Sequence, residues 1–273
     1  MSDGEEDGAT GPGVGPDARP DARPGARPGA RPGAGPRGEE LAGALAALQR
    51  RVDGACAAAG RDPAGVRVVV TTKTFPAADV LHLLALGVRD LGEAREQEAR
   101  AKRAEVLEAA GDEALDLRWH FLGRLQRNKA AAVASWAHLV HSCDSERLAD
   151  ALDRGARRAG RQLPVLVQVD LEGAEGDAAR GGAPARAVPA LADHVAAAPG
   201  LRLDGLMAVA PRDAAPAAAF ARLAELAARV RADHPGADVL SAGMSEDLEQ
   251  AVAAGATHVR VGRAVLGGRP PTG

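Results

Sequence analysis

The run VRVVVTTKT at residues 66–74 decides the fold class of this chain. It is short, continuous and rich in valine, and a helical pattern, PAADVLHLLALG at 76–87, follows it directly. A continuous apolar run of this length is typical of a strand buried on both faces of a parallel sheet. Seven similar runs follow: VRDLGEA (88–94), LRWHFLG (117–123), HLVHSCD (138–144), LPVLVQVDL (163–171), LRLDGLMAVAP (201–211), ADVLSAGMS (237–245) and THVRVGRAVLG (257–267).

The eight apolar runs alternate with Ala/Leu/Arg-rich stretches of helical period, such as PAAAFARLAELAARVRADHPG at 216–236. Eight strands with seven intervening helices predict an α/β protein folded as a single (β/α)₈ TIM barrel. The helical pattern at 38–60 predicts an N-terminal helix in the last helical slot. A doubly wound open sheet is the alternative, but eight regular units favour closure. Functional groups of a barrel lie at the strand C-termini and in the loops that follow.

The first 37 residues have a different composition. They contain the repeat ARPD-ARPG-ARPG-ARPG at 18–33 and few apolar side chains, which predicts a disordered Arg/Pro/Gly-rich extension. Residues 38–273 then form the barrel domain. No extended apolar face is left unexplained, so we expect a monomer.

Composition also excludes several classes of protein. The net charge of −3 over 273 residues provides no basic field for a nucleic acid. No window of 18 apolar residues suggests a membrane-spanning helix, and no apolar stretch near the N-terminus suggests a signal peptide. The cysteines, Cys56 and Cys143, are too few for a disulfide framework or a zinc site. The sequence therefore predicts a cytoplasmic protein with no nucleic-acid or membrane partner.

Lysine is scarce in this chain, because only Lys73, Lys102 and Lys129 stand among 34 basic residues. A lysine retained against that bias is a candidate for chemistry that arginine cannot do, such as forming an imine. Lys73 lies near the C-terminal end of the first strand, where partial desolvation favours the neutral, nucleophilic amine. Alternatively, it is a lysine whose ammonium reaches solvent at a strand end.

An anion site is predicted after the seventh and eighth strands, where barrels of this type commonly bind phosphate. Ser245 suits both a helix N-cap and a hydroxyl donor to phosphate. Arg260 lies within an apolar strand, so its guanidinium must enter the barrel mouth or pair with a carboxylate. The residues concerned are Gly243, Met244, Ser245, Arg260, Gly262 and Arg263.

Five stretches of the chain closely resemble the pyridoxal phosphate homeostasis protein family, and the resemblance extends over residues 40–268. They are TTKTFP (71–76), the GE of GEAREQE (92–98), WHFLGRLQRNK (119–129), GLMAV (205–209) and LSAGMSEDLEQAVAAGATHVRVG (240–262). This resemblance implies a barrel like the N-terminal domain of alanine racemase (fold type III). It also implies that Lys73 holds pyridoxal 5′-phosphate as a Schiff base. Ser245 and Gly262 would take the phosphate, and Arg260 would approach the pyridine nitrogen.

Two positions depart from the family pattern. Ala94 replaces an asparagine expected near the cofactor, and Arg263 replaces a threonine or serine. We expect binding to persist, with altered affinity.

Three functions remain open at this point. The favoured one is a non-catalytic carrier that takes part in intracellular vitamin B6 homeostasis and supplies pyridoxal phosphate to dependent enzymes. A racemase or decarboxylase is the second, although the chain contains no tyrosine and an arginine at the pyridine nitrogen weakens the electron sink. The third is a lysine-dependent aldolase, for which Glu93 on the second strand would be the acid/base partner.

Overall fold

Eight parallel strands close into a barrel in the computed structural model, which describes residues 33–172, 181–211 and 215–268. The described residues all belong to one compact unit spanning 31–273. Most of the predicted extension lies outside the described residues. The strands are β1 (Arg67–Thr71), β2 (Asp90–Glu93), β3 (Arg118–Phe121), β4 (Leu139–Cys143), β5 (Leu163–Asp170), β6 (Leu201–Ala208), β7 (Val239–Ser241) and β8 (His258–Val261).

Neighbouring strands pair in the order β4-β3-β2-β1-β8-β7-β6-β5, and a β4–β5 pairing closes the ring. A two-residue segment, Ala183–Pro184, pairs with the end of β5. The predicted (β/α)₈ barrel is therefore confirmed, and the open-sheet alternative is wrong. Closure removes the exposed sheet edges that an open arrangement would leave.

Helices cover the outside of the barrel. They are α1 (Pro36–Ala58), α2 (Ala77–Ala85), α3 (Glu96–Ala110), α4 (Ala130–Ala134), α5 (Glu146–Arg158), α6 (Val188–Ala197), α7 (Pro216–Asp233), α8 (Leu248–Ala253) and α9 (Arg263–Leu266). Single 3₁₀ turns at Pro63–Gly65, Arg127–Lys129 and Ala185–Ala187 and a longer one at Gly111–Asp116 complete the connections.

Helix α1 occupies the last helical slot, as predicted, and packs against α2, α8 and α9. The Arg51 guanidinium pairs with Glu249 of α8 at 2.8 Å. The helix begins at Pro36, two residues before the start indicated by the sequence pattern. Proline suits a first helical turn, and Arg37 in that turn pairs with Asp79 of α2 at 2.8 Å. The folded part of the chain thus reaches slightly further toward the N-terminus than the composition indicates.

The barrel interior has an apolar side and a polar side. Leu139, Leu166 and Met207 form a small buried cluster that is separate from the large core between strands and helices. Polar side chains face the interior as well, and a chain of hydrogen bonds among them runs from β2 to β8 across the barrel. Its members are Asp90, His120, His141, Ser241 and Arg260.

Candidate functional site

A cavity of about 300 Å³ opens at the C-terminal ends of β1 and β8. We call it the Lys73 cavity; its volume is at the lower end of the range for small-molecule sites. Six of the seven predicted site residues line it: Lys73, Met244, Ser245, Arg260, Gly262 and Arg263. Thr71, Phe75, Leu122 and Val209 also line it, and sequence reasoning missed them because three of them are apolar and none carries an ionisable group.

Gly243, the seventh predicted residue, supports the cavity from outside its lining. Its φ of 88° lies in the left-handed region, and a Cβ there would be 2.5 Å from the Ala251 Cβ. Its carbonyl accepts the backbone N–H of Arg260 at 2.9 Å. Glycine is therefore required here by backbone conformation and by close packing, and the residue fixes the height of Arg260 in the barrel.

Lys73 lies two residues after the end of β1 and is partly buried. The next residue, Thr74, has a φ of 71°, which is uncommon for a residue with a branched side chain. Its backbone N–H donates to the carboxylate of Glu98 on α3. The turn that presents Lys73 to the cavity is thus held in an unfavourable backbone conformation by a contact from the neighbouring helix.

The other two lysines have different surroundings. Lys102 is buried on α3, and its Nζ lies 2.6 Å from Glu93 Oε1 and 2.7 Å from the carbonyl oxygen of Thr72. Lys129 lines a separate surface hollow. Of the three lysines of the chain, Lys73 is therefore the one that lines the Lys73 cavity.

Glu93 does not face this cavity, which corrects its expected place beside Lys73 as an acid/base group. Alternation along β2 puts its carboxylate on the outer face of the barrel, where it accepts from Lys102 and from the Thr72 hydroxyl at 2.7 Å. Burial raises the pKa of Glu93, against the opposing effect of Lys102. The pair lies under the turn that carries Lys73.

Ser245 does not cap helix α8, which corrects a second expectation. The chain first makes a turn in which Asp247 accepts the backbone N–H of Met244 at 2.6 Å, and the helix starts only at Leu248. The Ser245 hydroxyl instead accepts the backbone N–H of Ala264 at 3.3 Å. It therefore lies beside the first turn of α9, on the wall of the cavity.

Gly262 leaves space that a side chain would occupy. Its φ of −112° is open to any residue, and an added Cβ would meet Thr71 at 3.4 Å, an ordinary contact. Backbone strain therefore gives no reason for glycine at this position. Both residues line the cavity, so the missing side chain keeps room for a group that approaches the backbone closely.

Arg263 turns its charge toward the rim. Its guanidinium pairs with Glu246 at 2.7 Å, and both side chains are largely exposed. Its backbone opens the short helix α9 next to Gly262, so its N–H lies among the first-turn groups that have no intrahelical acceptor. The Arg263 guanidinium therefore does not take the place, inside the cavity, of the hydroxyl that the family has at this position.

Arg260 brings a buried positive charge to the cavity floor. Its Nη1 donates to Ser241 Oγ at 2.6 Å and its Nη2 donates to the carbonyl oxygen of Ala208 at 2.8 Å. Among the residues that the structure describes, no carboxylate lies within ion-pair distance of it. Burial lowers the pKa of Arg260 to about 10. A buried cation with two neutral partners suits a cavity that receives an anionic or electron-rich ligand.

A wide hollow lies beside the Lys73 cavity, with a volume of about 1400 Å³. Its walls are the loops after β2, β3 and β4 and include Arg124 and Lys129 of the WHFLGRLQRNK stretch. Ala94 lines this hollow and not the Lys73 cavity. The amide that the family pattern has at this position would therefore project from the wall of the hollow.

Within the described residues, no group of three or more His, Cys, Asp or Glu side chains is arranged to hold a metal ion. No helix in the same ranges is long and apolar enough to cross a membrane.

The chain matches known proteins over most of its length. The family model described as the alanine racemase N-terminal domain matches residues 44–270. The pyridoxal phosphate homeostasis protein of Mycobacterium tuberculosis is 48% identical over 246 residues, which cover 85% of this chain and 94% of the relative. A solved structure of PipY from Synechococcus elongatus PCC7942, described as having PLP bound, is 34% identical with a TM-score of 0.71. That alignment covers 83% of this chain and all of PipY.

The fold is shared more widely. The alanine racemase of Streptomyces coelicolor A3(2) has a TM-score of 0.65 at 21% identity, and the alignment covers 83% of this chain and 57% of the racemase. At that identity the likeness concerns the barrel alone. The family match and the 48% identity show that this chain belongs to the pyridoxal phosphate homeostasis protein family, on the barrel of the alanine racemase N-terminal domain.

Proposed function

We propose that this chain binds pyridoxal 5′-phosphate through Lys73, and that it carries this cofactor in the cytoplasm without catalysing a reaction of its own. The observation that carries the proposal is the composition of the Lys73 cavity. It combines a single amine, a buried arginine without a carboxylate partner, and a serine hydroxyl beside a glycine that keeps space open. The relatives' name and the ligand of PipY support the same cofactor.

Pyridoxal phosphate supplies an aldehyde that condenses with an amine, a phosphate and a pyridine ring. The residues present fit each of these groups. The Lys73 amine would hold the group by a carbon–nitrogen double bond to the aldehyde carbon, with the aldehyde oxygen released as water. Ser245, Gly262 and the backbone N–H of Arg263, with Gly243 and Met244 shaping the loop, would hold the phosphate. Arg260 would donate to the pyridine nitrogen.

The acid/base groups near Lys73 favour carriage over catalysis. An arginine does not give up its proton, so a ring nitrogen facing Arg260 would stay unprotonated and the ring would withdraw electrons weakly. The carboxylates at the cavity already have partners, since Glu246 pairs with Arg263 and Asp247 accepts from Met244. Glu93 faces the opposite side of the strand. A racemase and an aldolase each need a poised base, and a decarboxylase needs a proton donor; among the described residues that line this cavity, no carboxylate without a partner stands beside Lys73 for either role.

The binding proposal is tested by incubating the purified protein with pyridoxal phosphate, recording its visible spectrum, reducing it with borohydride and mapping the modified peptide. We expect a visible band that reduction removes and a pyridoxyl group on Lys73. Lys73→Ala should lose both, and Lys129→Ala should retain them because Lys129 lies on the wide hollow. An adduct on Lys102 or Lys129, or no uptake in excess cofactor, would contradict the assignment.

The carrier proposal has a separate test. Loaded protein is mixed with an apo form of a pyridoxal phosphate-dependent enzyme, and recovery of that enzyme's activity is followed. Loaded protein is also incubated with L- and D-amino acids, and the enantiomers and amines formed are measured. We expect activation of the recipient and no turnover of the amino acids. Sustained racemisation or decarboxylation would show that the protein is an enzyme.

A further inference from the structure

A continuous chain of hydrogen bonds connects the floor of the Lys73 cavity with the opposite end of the barrel. Arg260 Nη1 lies 2.6 Å from Ser241 Oγ, which is 2.9 Å from His141 Nδ1. His141 Nε2 is 2.9 Å from His120 Nδ1, and His120 Nε2 is 2.9 Å from Asp90 Oδ1. All five side chains are buried. We call these five residues the interior chain.

The carboxylate of Asp90 sets the direction of every bond in the interior chain. Arg118 holds this carboxylate at 2.8 and 2.7 Å, and Arg67 lies 3.3 Å from it. Burial alone would raise the pKa of Asp90, but the hydrogen bonds from Arg118 and His120 lower it below its ordinary range. An ionised carboxylate only accepts hydrogen bonds, so the Nε2 of His120 carries the hydrogen.

The rest of the direction follows from the chemistry of neutral imidazole, which has one donor and one acceptor nitrogen. Burial lowers the pKa of both His120 and His141, so both rings are neutral. His120 then accepts at Nδ1 from His141 Nε2–H, and His141 accepts at Nδ1 from the Ser241 hydroxyl. The hydroxyl hydrogen points away from Arg260, and an oxygen lone pair faces the guanidinium.

Among the residues that the structure describes, no further side chain bonds to the ring nitrogens of the interior chain. His258 lies near both histidines, with ring centroids 6.2 Å from His120 and 6.4 Å from His141, and its Nδ1 bonds to the hydroxyl of Thr257. Burial lowers the pKa of His258 to about 3, so it adds no positive charge. The negative charge of Asp247 raises the pKa of Arg260 and so opposes the effect of burial. Arg67 and Arg118 are the cations at the Asp90 end of the interior chain.

We propose that Asp90, His120, His141 and Ser241 are positioning residues for Arg260. They hold one guanidinium N–H on Ser241 and leave other N–H groups of Arg260 directed at the Lys73 cavity. Through these bonds, the negative charge of Asp90 at the opposite end of the barrel would influence how strongly Arg260 draws electrons from the ring of the ligand. This inference rests on the proposed function, since it takes the ligand of Arg260 to be the pyridine nitrogen.

The test compares Ser241→Ala and Asp90→Asn with the control Ser142→Ala. Ser142 is also a buried serine on a barrel strand, and its Oγ has no hydrogen-bond partner. Asp90→Asn keeps an oxygen for His120 and leaves Arg67 and Arg118 at half-exposed positions, where water replaces the lost carboxylate. Asp90 is not among the residues that line the cavity, so a change of ligand properties in that variant must pass through the interior chain.

Two measurements are made on protein loaded with pyridoxal phosphate. We expect Ser241→Ala to weaken cofactor affinity by about 3- to 10-fold, because the guanidinium loses one of its two fixed acceptors. We expect Asp90→Asn to lower the pH midpoint of the visible band by about 0.5 unit, because a negative charge is removed. Ser142→Ala should match the wild type in both. If all three variants match the wild type, the proposal is wrong.

A third measurement needs no cofactor. Nitrogen-15 NMR of the histidine rings in the unloaded wild type should show the Nε2–H tautomer for both His120 and His141. In Ser241→Ala, the Nδ1 resonance of His141 should shift toward that of an acceptor without a donor. Nδ1–H tautomers would overturn the interior chain. A protein that takes up no pyridoxal phosphate refutes the proposed function, and the tautomers then decide the interior chain by themselves.

Discussion

Replacing Lys102 with methionine tests whether the buried pair under the Lys73 turn has the energetic role that its geometry indicates. Methionine keeps the length and apolar body of the side chain but removes the ammonium. The change therefore removes contacts to Glu93 at 2.6 Å, to the Thr72 carbonyl at 2.7 Å and to Glu98 at 3.3 Å. It leaves the Glu93 carboxylate buried with the Thr72 hydroxyl as its remaining donor.

The expected loss is large because Glu93 is fully buried and its Oε2 already has no partner. Removing one member of a buried ion pair costs about 3–5 kcal/mol, mostly as the penalty for an uncompensated charge. A urea dependence of about 3 kcal/mol per molar converts the lower figure into a fall of about 1 M in the unfolding midpoint.

The loss should depend on pH. Burial raises the pKa of Glu93 even in the wild type, and removing Lys102 raises it further. The unfolded chain releases this proton above about pH 4.3, whereas the folded variant keeps it. The stability of the variant therefore falls by about 1.36 kcal/mol per pH unit between that value and the folded pKa. The deficit relative to the wild type is smallest near pH 5 and largest near pH 8.

Urea unfolding at pH 5, 6.5 and 8, followed by circular dichroism, measures this deficit. Lys129→Met is the matched control, because Lys129 lies on the surface hollow. The free energy of unfolding of this variant should differ from that of the wild type by less than about 0.5 kcal/mol. A Lys102→Met deficit that is absent, or that is equal at all three pH values, would refute the reasoning that an uncompensated carboxylate causes it.

Three other substitutions and the oligomeric state give independent checks. Gly262→Val should fold normally but bind pyridoxal phosphate more than about tenfold more weakly in a spectroscopic titration, because its side chain enters the open cradle. Gly205→Ala should lower stability by about 3 kcal/mol or more in thermal unfolding, since its φ is 146° and its Cβ would lie 1.9 Å from the Val239 carbonyl oxygen. Arg263→Ser should change the melting temperature little, because its ion pair with Glu246 is exposed, and should bind the cofactor at least as tightly as the wild type in a titration. Light scattering after gel filtration should give the monomer mass.

The barrel was predictable from the sequence because each strand carries its own signal. Runs such as VRVVVTTKT at 66–74 are apolar on both faces, and this alone separates a parallel barrel from an amphipathic antiparallel sheet. The position of Lys73 at the cavity was predictable for a different reason. Lysine is scarce in this chain, and Lys73 lies at the end of a strand, so two independent patterns select the same residue.

The partners of buried polar groups were not predictable in this way. The pairing of Lys102 with Glu93 requires α3 to pack where its Lys102 reaches β2, and the interior chain requires that β4 faces β7 across the closed barrel. Neither distance is encoded in local spacing. Ser245 shows a local failure, because serine before two acidic residues predicts an N-cap, and only the turn closed by Asp247 delays the helix.

The position of α1 has a consequence for synthesis of the protein on the ribosome. This helix is made early, yet Arg37 bonds to the carbonyl oxygen of Leu266 and Arg51 pairs with Glu249, 229 and 198 residues further along. At about 5–20 residues per second, its buried face, which includes Leu41 and Leu48, waits roughly 10–40 s for those partners to be made. The last slot of the barrel is therefore filled by a helix that precedes every strand in the chain, and its buried face is not fully covered until α8 and α9 have been synthesised.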